Sequence, residues 1–165
     1  MFPFFQSTGA PDKKRIIFLI VMALLLITGA LMFNAPEQTE VISIAFPNGG
    51  MLNAEVADTP EKLLFGLAFR RALPPDGAML YIFDESGPHR VWTKEFQFPV
   101  DVIWLDESKV VVHVVKDAVP CMEDRCPWYG PPPRDARYVV ESNVGFIDQE
   151  KVKVGDTVKF ILHVS

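Results

Sequence analysis

The 165-residue chain is short of the residues that most catalytic and metal-binding proteins use. It has three histidines, and no two of them sit at i, i+2 or i, i+4 spacing. Three unrelated histidines are therefore the expectation, with neither a metal site nor a cofactor. No Gly-x-Ser-x-Gly elbow surrounds Ser43, Ser86, Ser108 or Ser142, and there is no glycine-rich phosphate loop. Basic residues are also scarce, 16 against 21 acidic, and from Ile16 onward the net charge is −7. Phosphate neutralisation needs the opposite sign, so nucleic-acid binding is excluded. Asp101 and Asp106 lie five residues apart on an expected strand and point to opposite faces, which excludes a glycosidase-like pair. A non-enzymatic protein is the expectation.

Only two cysteines are present, Cys121 and Cys126. Their Cys-x₄-Cys spacing is not the Cys-x-x-Cys of thiol oxidoreductases, and two further metal ligands are missing nearby. One structural disulfide in an oxidising compartment is the expectation.

What the chain does have is a long apolar run. Ile16–Phe33 holds eighteen residues without a charge, and as a helix it would span roughly 27 Å, near the hydrocarbon thickness of a bilayer. Lys13, Lys14 and Arg15 precede it, and the next charge after it is Glu37. Cationic flanks stay in the cytoplasm. The expected organisation is a cytoplasmic tail over 1–15, a transmembrane helix over 16–33 and a linker over 34–39. An exported domain follows over 40–165, periplasmic or extracellular, on the cytoplasmic (inner) membrane. A cleaved signal peptide is the alternative, with Thr28-Gly29-Ala30 as the nearest approach to a small-x-small site.

Past the linker the patterning is mostly that of strands. Val41–Phe46 and Met51–Ala57 flank the turn residues Pro47-Asn48-Gly49-Gly50. Thr59-Pro60-Glu61 opens a helix with a hydroxyl cap, a proline at the first position and an acid in the first turn. Leu63, Leu64, Leu67 and Ala68 form its apolar stripe. Ala78–Phe83, Val91-Trp92, Val100–Leu105, Lys109–Val115, Tyr138–Glu141 and Val158–Val164 read as strands. Asp106-Glu107-Ser108 reads as a tight turn, and Val144–Lys151 as a short helical turn. The expected fold is mainly β (α+β): a compact antiparallel β-barrel-like domain with one short helix, preceded by a single transmembrane helix.

Several patches, in order, resemble domain-of-unknown-function family 192. They are Gly66-Leu67 with Arg70, Gly77-Ala78-Met79-Leu80, Trp92, and Pro99-Val100-Asp101-Val102. Pro120-Cys121, Cys126 with Tyr129, Glu141-Ser142-Asn143-Val144-Gly145 and Gly155-Asp156 follow. The resemblance covers about Asn53–Leu162 and implies a small β-barrel-like domain without bringing an activity. The chain departs from the family pattern at Gly66-Leu67-Ala68, where Gly-Leu-Met is usual. It departs again at Val91–Phe96, where Phe-Trp-Met-Lys-Asn-Thr is usual.

The segment Asp117–Arg137 holds both cysteines, five prolines and Trp128-Tyr129. Prolines and a disulfide stiffen it, and preordered aromatics lose little entropy on docking. A partner surface of Trp128, Tyr129, Pro131 and Pro132 is expected, rimmed by Arg134 and Arg137. The alternative is that Trp128 and Tyr129 fold back over the domain. The expected function is a membrane-anchored, non-catalytic binding or accessory module, docked on a larger membrane protein complex. The second expectation is a small-molecule or glycan site, with Trp92, Trp104 and Trp128 as stacking platforms and Arg70, Lys94 and Asp101 as polar groups. Asp101 is expected to pair with Arg70 or Lys94.

Overall fold

The computed structural model describes residues 12–33 and 40–162. The cytoplasmic-tail residues 1–11, the linker 34–39 and residues 163–165, His163 among them, lie outside the described residues. The chain divides into two units, one through residue 38 and one from residue 39 onward.

The first unit is the helix α1, Lys13–Phe33. The large apolar side chains of Ile16–Ile27 are exposed on every face, with Phe18, Leu19, Leu25 and Leu26 each more than 60% accessible. Among the described residues, with α1 side chains described as far as Gly29, no helix is long and apolar enough to cross a membrane.

The second unit is one seven-stranded sheet. β1 (Val41–Ala45) and β2 (Met51–Ala57) form the hairpin. Gly49 takes a positive φ of 96° at its turn, a conformation that costs glycine little. α2 (Pro60–Phe65) follows, with the Lys62 amide donating to Thr59 Oγ1 at 3.3 Å. β3 (Gly77–Gly87), β4 (Val100–Leu105), β5 (Val111–Ala118) and β6 (Ala136–Asn143) come next. The short helix α3 (Phe146–Gln149) and β7 (Lys159–Leu162) complete the unit.

The strand order is β5-β4-β6-β3-β2-β1-β7. Two expectations are corrected here. The sheet is mixed, because β2 and β3 run parallel, joined by a crossover through α2. It is also not a closed barrel. Among the described residues β5 and β7 do not pair with each other; the segments beside them meet at the Val110–Thr157 bridge, where the Val111 amide donates to the Asp156 carbonyl at 2.8 Å, the Gly155 amide to the Val111 carbonyl at 2.9 Å and the Val158 amide to the Lys109 carbonyl at 3.0 Å. The short helical turn expected over Val144–Lys151 is present as α3, so the second unit carries two short helices where one was expected.

Period-two alternation sends side chains to two cores, one on each face of the sheet. Ala78 and Leu80 of β3, Ile103 and Leu105 of β4, and Val140 of β6 join Ile44, Leu52 and Ile147 on one face. Met79 and Tyr81 of β3, Val100, Val102 and Trp104 of β4, and Val139 of β6 join Leu67, Val91 and Phe96 on the other. The second face carries the site.

Candidate functional site

α2 and the loops following β3 and β5 leave a cavity of about 120 Å³ above this second face. Leu63, Leu64 and Phe65 of α2 form one wall. Trp92 and Trp128 form another, and Tyr81, Phe83 and Glu141 line it from the sheet. A shallower groove of about 330 Å³ adjoins it through the shared residues Leu64, Phe65 and Trp92, and continues to Phe69 and Lys94.

The aromatic wall is built by backbone pairing between two irregular loops. Val91 and Tyr129 exchange backbone hydrogen bonds at 3.2 and 2.8 Å. The Glu95 amide donates to the Cys121 carbonyl at 2.9 Å, and the Cys121 amide donates to the Thr93 carbonyl at 3.0 Å. The Cys121–Cys126 disulfide is formed, as expected, and closes the loop beside this ladder. The pairing brings the Trp92 and Trp128 rings into a stack, 4.7 Å between centroids and 12° from parallel. Lys94 Nζ lies 5.8 Å from the Trp92 ring centroid, within cation–π range.

The floor is polar. Glu141 is fully buried, and the Tyr81 hydroxyl donates to its Oε2 at 2.6 Å. Among the described residues Glu141 Oε1 has no hydrogen-bond partner. Burial in an apolar surrounding pushes the Glu141 carboxyl up to about 8, against the smaller stabilisation of its charged form by Tyr81. The same burial, with the carboxylate beside it, pushes the Tyr81 phenol well above its ordinary range. The Tyr81 hydroxyl reaches the turn at Gly66 that ends α2. This close approach explains Gly66: a Cβ there would lie 1.8 Å from the Tyr81 hydroxyl, and the residue has φ +47°.

The structure brings together some of the expected site residues. Trp92 and Trp128 share the cavity, and Trp92 and Lys94 share the groove. Trp104 is not a platform. It is wholly buried in the core beneath, and its Nε1–H donates to the His89 carbonyl at 3.0 Å.

Asp101 pairs with neither Arg70 nor Lys94. It is buried and accepts three backbone N–H bonds, from Asp117 at 3.0 Å, Gly145 at 3.1 Å and Ile147 at 2.9 Å. A carboxylate in that position ties β4 to the end of β5 and to the start of α3. Arg70 instead forms a two-pronged pair with Glu55, Nη1 to Oε1 and Nη2 to Oε2, the latter at 2.7 Å. That hydrogen-bonded pairing holds the Glu55 carboxyl below its ordinary value.

The proline-rich loop divides between its two expected roles. Trp128 is 52% exposed, whereas Tyr129 packs against the second core and its hydroxyl accepts from the Val119 amide at 3.1 Å. Pro132 is buried, while Pro131 and Arg134 are exposed. His89 stacks on Phe83, and His113 lies beside Trp104. Among the described residues no group of His, Cys, Asp and Glu converges to hold a metal.

Sequence reasoning missed the pairing of Glu141 with Tyr81. The one signal available was a glutamate placed within a run of β-branched residues, Tyr138–Glu141, where an ionised side chain is costly.

Comparison with known proteins agrees with this architecture. The model of the DUF192 family, described as an uncharacterized ACR, matches residues 44–160, and the chain belongs to that family. No curated protein matches the sequence. A solved structure from Sinorhizobium meliloti 1021, described only as a candidate transcription regulator, is 25% identical with a TM-score of 0.64. It covers 77% of this chain and 97% of its own. A protein of unknown function from Novosphingobium aromaticivorans DSM 12444 is 21% identical, also with a TM-score of 0.64, over 76% of this chain and 89% of its own.

Proposed function

We propose that the β-rich unit is a non-catalytic binding module whose aromatic cavity takes a small molecule. The observation that carries this reading is the buried Glu141, which lines a cavity otherwise apolar and aromatic except for Arg90 at its rim, and whose Oε1 has no hydrogen-bond partner among the described residues. An unmade hydrogen bond of this kind costs about 1–3 kcal/mol. A concave apolar site with a few convergent polar groups is the ordinary form of a ligand pocket.

The test is to titrate the intact chain with planar heteroaromatic fragments and monosaccharides, following the indole N–H resonances of Trp92 and Trp128. Fragments that shift both resonances, and bind at least tenfold more weakly to Trp128→Ala, support the site. If millimolar concentrations of either class leave both resonances in place, the proposal fails.

We also propose that residues 16–33 anchor the chain in the cytoplasmic membrane, N-terminus inside. This places the β-rich unit in the periplasm or outside the cell. The support is the uncharged run, its Lys13-Lys14-Arg15 flank and the exposure of its apolar side chains. The disulfide is consistent with an oxidising compartment. Alkaline carbonate washing should leave the chain in the membrane pellet, and its release to the supernatant would refute the anchor.

An accessory role on a larger membrane complex is the second reading. It is favoured by the exposure of Leu64, Phe65, Phe69 and Trp128 around the groove. Stoichiometric co-purification of one complex in mild detergent, lost on Phe65→Ser, is its expected signature; migration without a partner would exclude it.

A further inference from the structure

We propose that Glu141 presents a hydrogen-bond donor, the hydroxyl of its neutral carboxyl, and that the ligand is an uncharged planar molecule carrying an acceptor such as a carbonyl oxygen. This rests on the reading of the aromatic cavity as a binding site and names the chemistry it selects.

The direction of the hydrogen bonds carries the argument. The Tyr81 hydroxyl spends its own proton on Glu141 Oε2. A proton held by the neutral carboxyl is then left to Oε1, the oxygen without a partner. Cross-strand from Glu141 stand Met79 and Val102, and α2 contributes only Leu63, Leu64 and Phe65 to the cavity. Tyr81 is the one titratable group bonded to the carboxyl. Among the described residues Arg90, exposed at the cavity rim, is the only cationic side chain lining it, and Arg70 is engaged by Glu55. Without a cation at the floor, the carboxyl stays neutral near pH 7, as its raised value requires.

The walls argue for a flat, neutral ligand. Trp92, Trp128, Phe65, Phe83 and Phe96 line the cavity, an aromatic composition that suits a planar molecule. A cationic ligand would meet Arg90 at the rim, and Lys94 already occupies the neighbourhood of the Trp92 ring. An anionic ligand would find no positive group at the floor.

Three aromatic probes of similar size separate these cases in the intact chain: acetophenone, ethylbenzene and benzyltrimethylammonium. Binding is read from the tryptophan indole resonances at pH 6 and pH 9. Acetophenone is expected to bind at least fivefold more tightly than ethylbenzene at pH 6, and to weaken about tenfold by pH 9 as the donor ionises. Ethylbenzene should show no such pH dependence. Glu141→Gln keeps a donor that does not titrate, so acetophenone binding should persist at both pH values.

Equal affinities for acetophenone and ethylbenzene in the wild-type chain would overturn the proposal without reference to any variant. So would an ammonium probe that binds better at pH 9, which would leave a site but reverse its chemistry. Failure of all three probes to bind would overturn the binding-site reading itself.

Discussion

Glu141 should make the fold less stable as pH rises across neutrality, opposite to the behaviour of a carboxylate in an ion pair. Its carboxyl titrates near 8 in the folded chain and in the ordinary range near 4.5 when unfolded. Between those values the folded state holds one proton more than the unfolded state, so the free energy of unfolding falls with pH. The slope is about 1.4 kcal/mol per pH unit, or roughly 3–4 kcal/mol between pH 5 and pH 8 once the ends of the titration are rounded. The benefit is fully present below the unfolded value and is lost as pH rises through the folded one. Glu55 does not interfere in this window. Its value is lowered by Arg70, so its contribution disappears only as pH falls below the ordinary carboxylate range. Urea unfolding of the intact chain, followed by tryptophan fluorescence in nonionic detergent at several pH values from 5 to 9, measures the slope. Glu141→Gln should flatten it and be the more stable protein at pH 9. Identical pH dependence in the two chains would refute the reasoning.

Other perturbations test the frame around the site. Gly66→Ala forces a Cβ against the Tyr81 hydroxyl at a positive φ, and should cost on the order of 3 kcal/mol in a thermal or urea melt. Asp101→Ala removes the acceptor for three backbone amides, that of Ile147 buried, and should cost about 2–3 kcal/mol, with faster amide exchange at Gly145 and Ile147 than elsewhere. Replacing Cys121 and Cys126 together by Ser should cost about 2 kcal/mol in the chain-entropy model, because the closed loop is short. Quenching of Trp128 fluorescence by iodide should rise in that variant.

Local features of the fold were legible in the sequence. Met51–Ala57, Val100–Leu105 and the Thr59-Pro60 helix start appear where alternation and capping place them. The Asp106 turn is also as read, with its carboxylate accepting from the Ser108 and Val110 amides at 3.0 Å each. Pairing was not legible. Period two gives a strand its two faces but names no neighbour, so the parallel β2–β3 contact and the open edges had no local signal. The same limit governs the site. Trp92 and Trp128 lie in irregular segments joined only by backbone bonds, and Tyr81 meets Glu141 across sixty residues. Asp101 looked like a partner for a cation because charge suggests charge; what it meets is a set of amides released by the end of β5 and the start of α3.

The floor and walls of the cavity belong to parts of the fold that should open on different timescales. Tyr81 and Glu141 sit on β3 and β6, interior strands paired on both sides. Their amides should exchange with solvent only through global unfolding. The Trp92 and Trp128 wall hangs on a few hydrogen bonds between irregular loops, and α2 has no buried residue. On the proposed reading, a ligand would enter by local excursions of the wall while Glu141 keeps its place on the sheet.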